Sequence, residues 1–294
     1  MKPLEWDLMQ LLKRNRDGSS ATQYTRAKTL KNFTKLIYAS GARNKRIWNL
    51  KQKDFTKVIH TWRNEISANG EPVSDATLKN RVAALRWVAE KIGKPHLVPK
   101  ENHGLGLRPR VVISEESKAR FLANQLLSRI TNQYVKYSLR LQAAFGLRRE
   151  EAMKIQPAWA DRGDKLVLKA SWTKGGRARE IPIRTREQRE VLNAAKAFAG
   201  NGSLIPVTKS YREHMHIWEN QTRRGGLSKT HGLRHAYAQT RYTELTGRKP
   251  PILGGMRTKD LALNLRQQDR QARLQIAQEL GHSRIDITNT YLGR

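Results

Sequence analysis

Apolar residues repeat at helical spacing through most of this chain, and this pattern restricts the fold to a mainly α architecture. In the N-terminal part the repeat forms four stripes: residues 4–12, 24–37, 55–66 and 78–89. Within each stripe the apolar residues recur three or four positions apart, so each predicts a helix with one buried face. Ser74 is a typical N-cap for the fourth helix.

One stretch carries a convincing β pattern instead. Residues 165–172 and 179–183 are rich in apolar residues and flank a turn-forming segment, Thr173–Arg177. Pro182 makes the second strand an edge strand, because proline cannot donate a ladder hydrogen bond. The sequence therefore predicts a hairpin with Lys174 at or beside its tip.

The helical pattern dissolves between residues 94 and 110, where prolines and glycines lie among charges. We therefore predict a helical N-terminal domain (1–98), a linker (99–112) and a mixed, mostly helical domain with a small antiparallel sheet (113–294).

In the last of these segments the pattern predicts five features: a helix after Ser114 through Leu127, a helix from Val135 to Gly146, helices over 187–218 with a break at 200–203, a helix capped by Thr230, and a polar insert at 247–270.

The charge of the chain indicates its partner. There are 57 Lys and Arg against 25 Asp and Glu, a net charge of +32, so polyanions are attracted and nucleic acid is the first candidate. No apolar run approaches the roughly 20 residues of a membrane span, and the first residues lack a signal-peptide core. The absence of cysteine excludes disulfides and thiolate metal sites and fits a reducing cell interior.

Basic residues lie between the apolar stripes of the N-terminal domain. Taken singly, each is accounted for by a solvated basic face, but as a set they favour a surface that faces DNA. The candidates for DNA contact are Lys28, Lys31, Lys35, Lys45, Arg46, Lys79, Arg81 and Arg86.

The C-terminal stretch brings two reactive side chains together. A helix is predicted to end at Gly281, and Ser283 with Asp286 reads as an N-cap pair for the next helix, so His282 occupies the corner between them. Tyr291 follows one short helix later. A phenol with an ordinary pKa of about 10 is a poor nucleophile, so chemistry at Tyr291 requires nearby cations.

Four separated motifs supply such groups. They are Phe145–Glu151, Thr173–Gly176, His231–His235 and Leu280–Ser283, the last followed by Tyr291. In order and local context, residues 114–294 resemble the tyrosine recombinase (phage integrase) family. The N-terminal half is similar to the core-binding domain of that family in architecture and charge.

The chemistry of these residues agrees with the resemblance. Arg148 and Arg234 can hold the non-bridging oxygens of a phosphodiester, and Tyr291 can attack its phosphorus. The resemblance further implies a 3′-phosphotyrosyl intermediate and a free 5′-hydroxyl, with Lys174 as the acid for that hydroxyl. It also implies that His231 handles the tyrosine proton and that His282 braces the phosphate. No motif for a metal, a nucleoside triphosphate or another cofactor is present.

Four further residues receive supporting interpretations. Glu151 matches an acidic position of the family and is either a salt-bridge partner of Arg148 or a surface charge. We interpret His235 as a buried hydrogen-bonding residue rather than a catalytic one. Arg149 contacts either DNA or solvent, and Arg177 is a further candidate for DNA contact.

The chain departs from the family in two places. Arg234 and His282 are 48 positions apart, more than the family usually has, and the surplus is the 247–270 insert. The insert could contact DNA or a neighbouring subunit, or form a solvated loop. Only three residues follow Tyr291, whereas many family members use a longer tail to reach the adjacent protomer. The chain is therefore expected to assemble differently, bind weakly or belong to a longer protein.

The predicted function is strand exchange by an integrase of a mobile element. We expect a homotetramer on double-stranded DNA with a specific recombination site, in the bacterial cytoplasm, with DNA-bending proteins as candidate accessory partners. The alternatives are a non-catalytic architectural DNA-binding protein and a type IB topoisomerase. The complete set of six catalytic candidates disfavours a decayed, non-catalytic copy.

Overall fold

The computed structural model describes residues 2–67, 69–108 and 116–294. The chain divides into two compact units, Met1–Arg110 and Val111–Arg294. Within the described ranges, no helix has the length and apolar character needed to cross a membrane.

The first unit is helical, as its apolar stripes predict. Its helices are α1 (Pro3–Arg14), α2 (Ser20–Ala39), α3 (Gln52–Arg63) and α4 (Asp75–Lys91). The stripes meet in one core around Phe33, Phe55 and Trp62. Ser74 caps α4 as predicted, its hydroxyl accepting a hydrogen bond from the Thr77 amide at 3.3 Å. A mainly α fold is thereby confirmed for this half of the chain.

The first unit departs from the sequence prediction at the end of its third helix and in the predicted linker. Ile66 was predicted in the third helix, but α3 ends at Arg63 and Ile66 is 60% exposed. After α3 the chain reverses direction: Ile66 pairs with Pro72, and Gly70 lies in the left-handed region at φ 78°. Leu107, in the predicted linker, is buried in the core of this unit. The linker boundaries stay a prediction, and residues 109–112 lie outside the described residues.

The second unit is mostly helical with one hairpin. In chain order its elements are α5 (Asn124–Ser128), α6 (Gln133–Phe145), α7 (Arg149–Lys154), α8 (Pro157–Ala160), β1 (Lys165–Leu168), β2 (Arg179–Pro182), α9 (Arg186–Ala199), α10 (Tyr211–Arg224), α11 (Gly232–Thr246), α12 (Leu263–Leu280) and α13 (Asn289–Leu292). The strands pair antiparallel, with Leu168 opposite Arg179. The predicted hairpin and the small antiparallel sheet are confirmed.

Several predicted boundaries in this unit are wrong. Ser114 lies outside the described residues, and α5 begins only at Asn124, leaving Phe121 72% exposed. Residues 117–123 form no helix, and the Arg120 amide donates to the Gly232 carbonyl at the start of α11 at 2.9 Å. β1 stops at Leu168, since a 3-10 turn at Ala170–Trp172 buries Trp172. The break after α9 extends over residues 200–210.

Two predicted caps are also wrong. His231, not Thr230, is the N-cap of α11, and the turn before it contains Lys229 in the left-handed region at φ 55°. Ser283 does not cap a helix, because a 3-10 turn at Ile285–Thr288 begins after Arg284 without a side-chain cap. Gly281 does end α12 in the left-handed region at φ 66°, as predicted.

The insert is shorter than its sequence predicts. Residues 247–262 form two 3-10 turns, at Pro251–Leu253 and Thr258–Asp260, and Arg270 already lies within α12. Thus, the polar composition that marks 247–270 as an insert covers both a loop and the exposed first turns of a helix.

Gly146 allows three elements to meet. It ends α6 at φ 62°, and a Cβ there would lie 2.6 Å from Tyr237 Cδ1 in α11 and 3.0 Å from Leu280 Cδ2 in α12. Neither the left-handed backbone nor this spacing tolerates a side chain.

We therefore expect Gly146→Ala to lower the free energy of unfolding by about 2–5 kcal/mol, the sum of backbone strain and overpacking. Gly247→Ala is the matched control, because Gly247 ends α11 in the same left-handed region with no atom near its Cβ position. Its cost should be about 1–2 kcal/mol from strain alone. Equal losses in denaturant titrations would show that the contacts at Gly146 are unimportant.

Candidate active site

Tyr291 lies at the centre of a cluster of polar side chains from distant parts of the chain. It is carried by α13, which packs on α11, and only 6% of the residue is exposed. Its hydroxyl oxygen is 3.3 Å from Arg234 Nε and 3.3 Å from His231 Nε2. The phenol can therefore donate to an unprotonated imidazole while it accepts from a guanidinium.

Arg234 is fully buried between the carbonyl ends of two helices. Nη1 donates to the Gly146 carbonyl at 2.5 Å, and Nη2 donates to the Leu280 carbonyl. These carbonyls belong to helix C-termini, which lack intrahelical donors and carry partial negative charge. Burial lowers the pKa of Arg234 to about 10, so the group stays protonated at neutral pH. The fold thus holds a cation directly beside the phenol.

Glu151 is the buried carboxylate of the site. It accepts from Arg148 Nη1 at 2.7 Å and from both terminal nitrogens of Arg179, at 2.9 and 2.6 Å. Burial alone would raise the pKa of Glu151. The hydrogen bonds and charge of Arg179, with the charges of Arg234 and Arg148, instead lower it to about 2. The salt bridge between Glu151 and Arg148 is present, as one of the two sequence interpretations expected.

Sequence reasoning missed Arg179. It lies on β2 with its side chain buried beside Gly281, and its Nε donates to the Glu279 carbonyl at 2.9 Å. Strand alternation contained the signal, because Arg179 shares a face with the buried Ile181. A charged residue on the inward face of a strand needs an acidic partner, and Glu151 is that partner.

Two of the imidazoles near the phenol, His231 and His282, are unprotonated at neutral pH. Burial, then the charges of Arg234 and Arg148, lower the pKa of His231 below its ordinary value and that of His282 to about 3. His282 Nε2 is 3.3 Å from Arg234 Nη2 and accepts from it, so the ring proton belongs on Nδ1. Nδ1 is buried and has no partner among the described residues. It is therefore a donor available to an anionic ligand.

His235 flanks the phenol on another side. Its ring centroid is 4.4 Å from that of Tyr291, and the His282 ring lies 5.3 Å away from the same phenol ring. Burial, then the charges of neighbouring groups, lower the pKa of His235 to about 4. Two neutral imidazole rings therefore pack around the phenol and restrict its orientation.

Lys174 is the one catalytic candidate that lies apart from the others. It is exposed in the turn between β1 and β2, and no contact joins it to the other five among the described residues. Arg177, in the same turn, is also exposed. Arg149 donates to Glu219 at 3.2 Å on α10.

In the first unit, most candidates for DNA contact are engaged by other groups of that unit. Arg46 forms two hydrogen bonds with the buried Asp7, Lys45 pairs with Asp54, and Arg81 pairs with Glu65. Arg86 and Lys79 donate to main-chain carbonyls, of Pro99 and Arg108. Three candidates are exposed on α2 with no ion pair among the described residues: Lys28, Lys31 and Lys35.

The chain matches two family models. One, described as integrase, matches residues 113–240, and the other, described as phage integrase, N-terminal, matches residues 1–98. No curated protein sequence matches the chain significantly.

Solved structures show the same fold. A lambda integrase fragment, crystallised as a dimer on a COC′ core site, is 15% identical, with a TM-score of 0.62 over 100% of this chain and 97% of that chain. XerH site-specific recombinase bound to its difH substrate is 15% identical, with a TM-score of 0.57 over 98% and 80%. The Tn1549 transposon integrase with circular intermediate DNA is 13% identical, with a TM-score of 0.56 over 100% and 96%.

The family matches cover most of the chain and include both halves of its architecture. They agree with a mostly helical fold in which Arg234 Nε and His231 Nε2 both lie 3.3 Å from the Tyr291 hydroxyl. The chain belongs to the tyrosine recombinase (phage integrase) family, and it is a site-specific DNA recombinase.

Proposed function

We propose that this recombinase cleaves and rejoins DNA with Tyr291 as its nucleophile, through a 3′-phosphotyrosyl intermediate and without metal or ATP. One observation carries the proposal: the Tyr291 hydroxyl lies 3.3 Å from both Arg234 Nε and His231 Nε2. Residues 57 and 60 positions away in the sequence are brought to one oxygen atom. A buried cation beside a neutral base is the environment that a phenol needs to attack phosphorus.

Side chains of this protein can accept and donate the protons that the reaction transfers and can bind the phosphate. The Tyr291 oxygen bonds to phosphorus while its proton passes to His231 Nε2. The bond from phosphorus to the 5′-oxygen breaks, and Lys174 protonates that oxygen once the turn between β1 and β2 closes on DNA. Arg148, Arg234 and His282 Nδ1 donate to the non-bridging oxygens. Rejoining is the reverse reaction with a new 5′-hydroxyl, so no external energy is required.

Double-stranded DNA with a specific recombination site is the substrate of this proposal. The net charge of +32 favours binding to phosphates, and relatives with this fold were solved as dimers and tetramers on DNA. We infer a homotetramer on two duplexes, with DNA-bending proteins as accessory partners.

The exposed lysines of α2 are the first candidates for phosphate contact in the N-terminal domain. Lys28, Lys31 and Lys35 recur three or four positions apart, so they share one helical face. The five other candidates of this domain must release carboxylates or main-chain carbonyls before they can bind phosphate fully. Arg149 and Arg177 remain candidates near the active site.

We expect Tyr291→Phe to abolish covalent capture of a nicked suicide substrate and to change DNA affinity little, since only the hydroxyl is lost. Capture is measured as a protein–DNA adduct on denaturing gels, and affinity by fluorescence anisotropy. Persistent adduct formation would refute the assignment of the nucleophile.

We expect Arg234→Lys to reduce the single-turnover cleavage rate about 100-fold or more, because a lysine cannot bridge two helix ends and the phenol with one planar group. DNA affinity should change less than about threefold, since the charge is kept. Arg186→Lys is the control, because the Arg186 side chain is 92% exposed and pairs only with Glu190 among the described residues. Parallel losses in rate and affinity would contradict a role in the transition state.

A sulfur substitution at the leaving 5′-oxygen tests Lys174. A thiolate with a pKa of about 8.5 leaves without protonation, whereas an alkoxide does not. We expect Lys174→Ala to lose cleavage of the ordinary substrate and to regain most of the rate on the sulfur-substituted one. An equal deficit on both substrates would remove Lys174 from the role of acid.

A further inference from the structure

A buried arginine forms hydrogen bonds to the segment that carries Tyr291. Arg273 lies on α12, and its Nη1 donates to Asn289 Oδ1 and to the Gly293 carbonyl, both at 2.8 Å. These acceptors flank Tyr291 on either side in the sequence. One guanidinium therefore holds both ends of α13.

The face that Arg273 holds is not the catalytic one. Successive residues of a helix are about 100° apart, so the Asn289 side chain points away from that of Tyr291, two positions further on. Arg273 can therefore fix α13 without covering the Tyr291 hydroxyl. This matters because α13 has only four residues, and a helix that short has no stability of its own.

Asp269 fixes Arg273 in turn. It is one turn earlier on α12, is 1% exposed, and accepts from Arg273 Nε at 2.9 Å. The same carboxylate accepts from the Tyr242 hydroxyl at 2.6 Å and from Thr258 Oγ1 at 3.1 Å. The buried charge of Arg273 is thereby balanced, and Thr258 links the insert to this pair.

The insert also closes over the end of α13. Gly293 has φ 78°, and a Cβ there would lie 2.9 Å from the Ile252 nitrogen and 3.2 Å from Pro251 Cβ. From the opposite side, Gln239 Nε2 of α11 donates to the Tyr291 carbonyl at 3.0 Å. The segment after Tyr291 is thus enclosed between α11, α12 and the insert.

We propose that Arg273 is a positioning residue for the Tyr291 nucleophile, held in place by Asp269 and by residues 251–258 of the insert. This inference rests on the proposed role of Tyr291. Arg273 acts on the rate of attack by limiting the motion of α13, and it does not touch the reacting phosphate.

The absence of cysteine from the chain permits a test that needs no catalysis. Tyr291→Cys introduces a single thiol at the nucleophile position, and its alkylation by iodoacetamide reports how often α13 opens. In that background we expect Arg273→Ala to raise the alkylation rate about tenfold or more, since hydrogen bonds to a charged group are lost. Arg270→Ala is the matched control, because the Arg270 side chain is exposed on the same helix and forms no hydrogen bond within the described part of the chain. Equal rates in both variants would overturn the proposal.

The second part of the experiment measures DNA cleavage by variants that keep Tyr291. Arg273→Ala should reduce single-turnover cleavage about tenfold or more at unchanged DNA affinity, and Arg273→Lys should recover part of that loss. The sulfur-substituted substrate should not rescue Arg273→Ala, since the defect is in the nucleophile and not in the leaving group. Faster alkylation with undiminished cleavage would overturn the positioning role.

A second variant tests the proposal independently, in case Arg273→Ala does not fold. Thr258→Val removes only the hydrogen bond from the insert to Asp269, and we expect a smaller increase in alkylation in the same direction. No increase, in a variant with an unchanged melting temperature, would exclude the insert from the proposal. Loss of capture in Tyr291→Phe would support Tyr291 as the nucleophile. If alkylation were at the same time unchanged in the Arg273 variants, only the positioning role of Arg273 would be refuted.

Discussion

The site depends on a fully buried guanidinium, Arg234, whose nearest carboxylate, Glu151, lies at 4.0 Å and forms no hydrogen bond with it. Its charge is therefore balanced mainly by the carbonyl ends of α6 and α12. Burying an unpaired charge lowers the stability of the fold by roughly several kcal/mol unless protein dipoles replace the water that solvated it. Gly146 and Gly281 terminate these two helices in the left-handed region and so expose the carbonyls to Arg234. Two glycine caps therefore determine where the catalytic cation can lie.

Burial and the arginines of the site together set the protonation of the groups around Arg234. Burial and the adjacent guanidiniums keep His231 and His282 neutral, while Glu151 stays ionised because Arg179 and Arg148 bind it. A neutral His231 can take a proton from the phenol, which a charged one could not. The carboxylate therefore serves to hold arginines in place, and base chemistry is left to the imidazole.

The parts of the site that sequence could predict are those with local signals. The glycine that ends α12 and the arginines of the motifs are recognisable from neighbouring residues, and the hairpin follows from strand alternation. Strand alternation places Arg179 on the buried face of β2, but its partner Glu151 is 28 positions away, so the sequence does not show which carboxylate it binds. The predicted caps at Thr230 and Ser283 are wrong because the backbone takes other conformations there: Lys229 lies in the left-handed region, and the turn after Ser283 begins at Ile285 with Arg284 extended.

The hydrogen bond between Tyr291 and Arg234 also constrains the order of events on DNA. Arg234 has few donors left, because both terminal nitrogens already serve helix carbonyls. Its Nε, which a phosphate oxygen would use, is bonded to the phenol before DNA arrives. Arg148 is more exposed, with only Nη1 engaged by Glu151 among the described residues, so it can bind phosphate first. The incoming phosphate then competes with the phenol for Arg234 Nε, and the displaced phenol oxygen is left next to phosphorus with His231 as its remaining partner. A short helix braced from behind limits that displacement, which is why the contacts of Arg273 bear on the chemistry and not only on the fold.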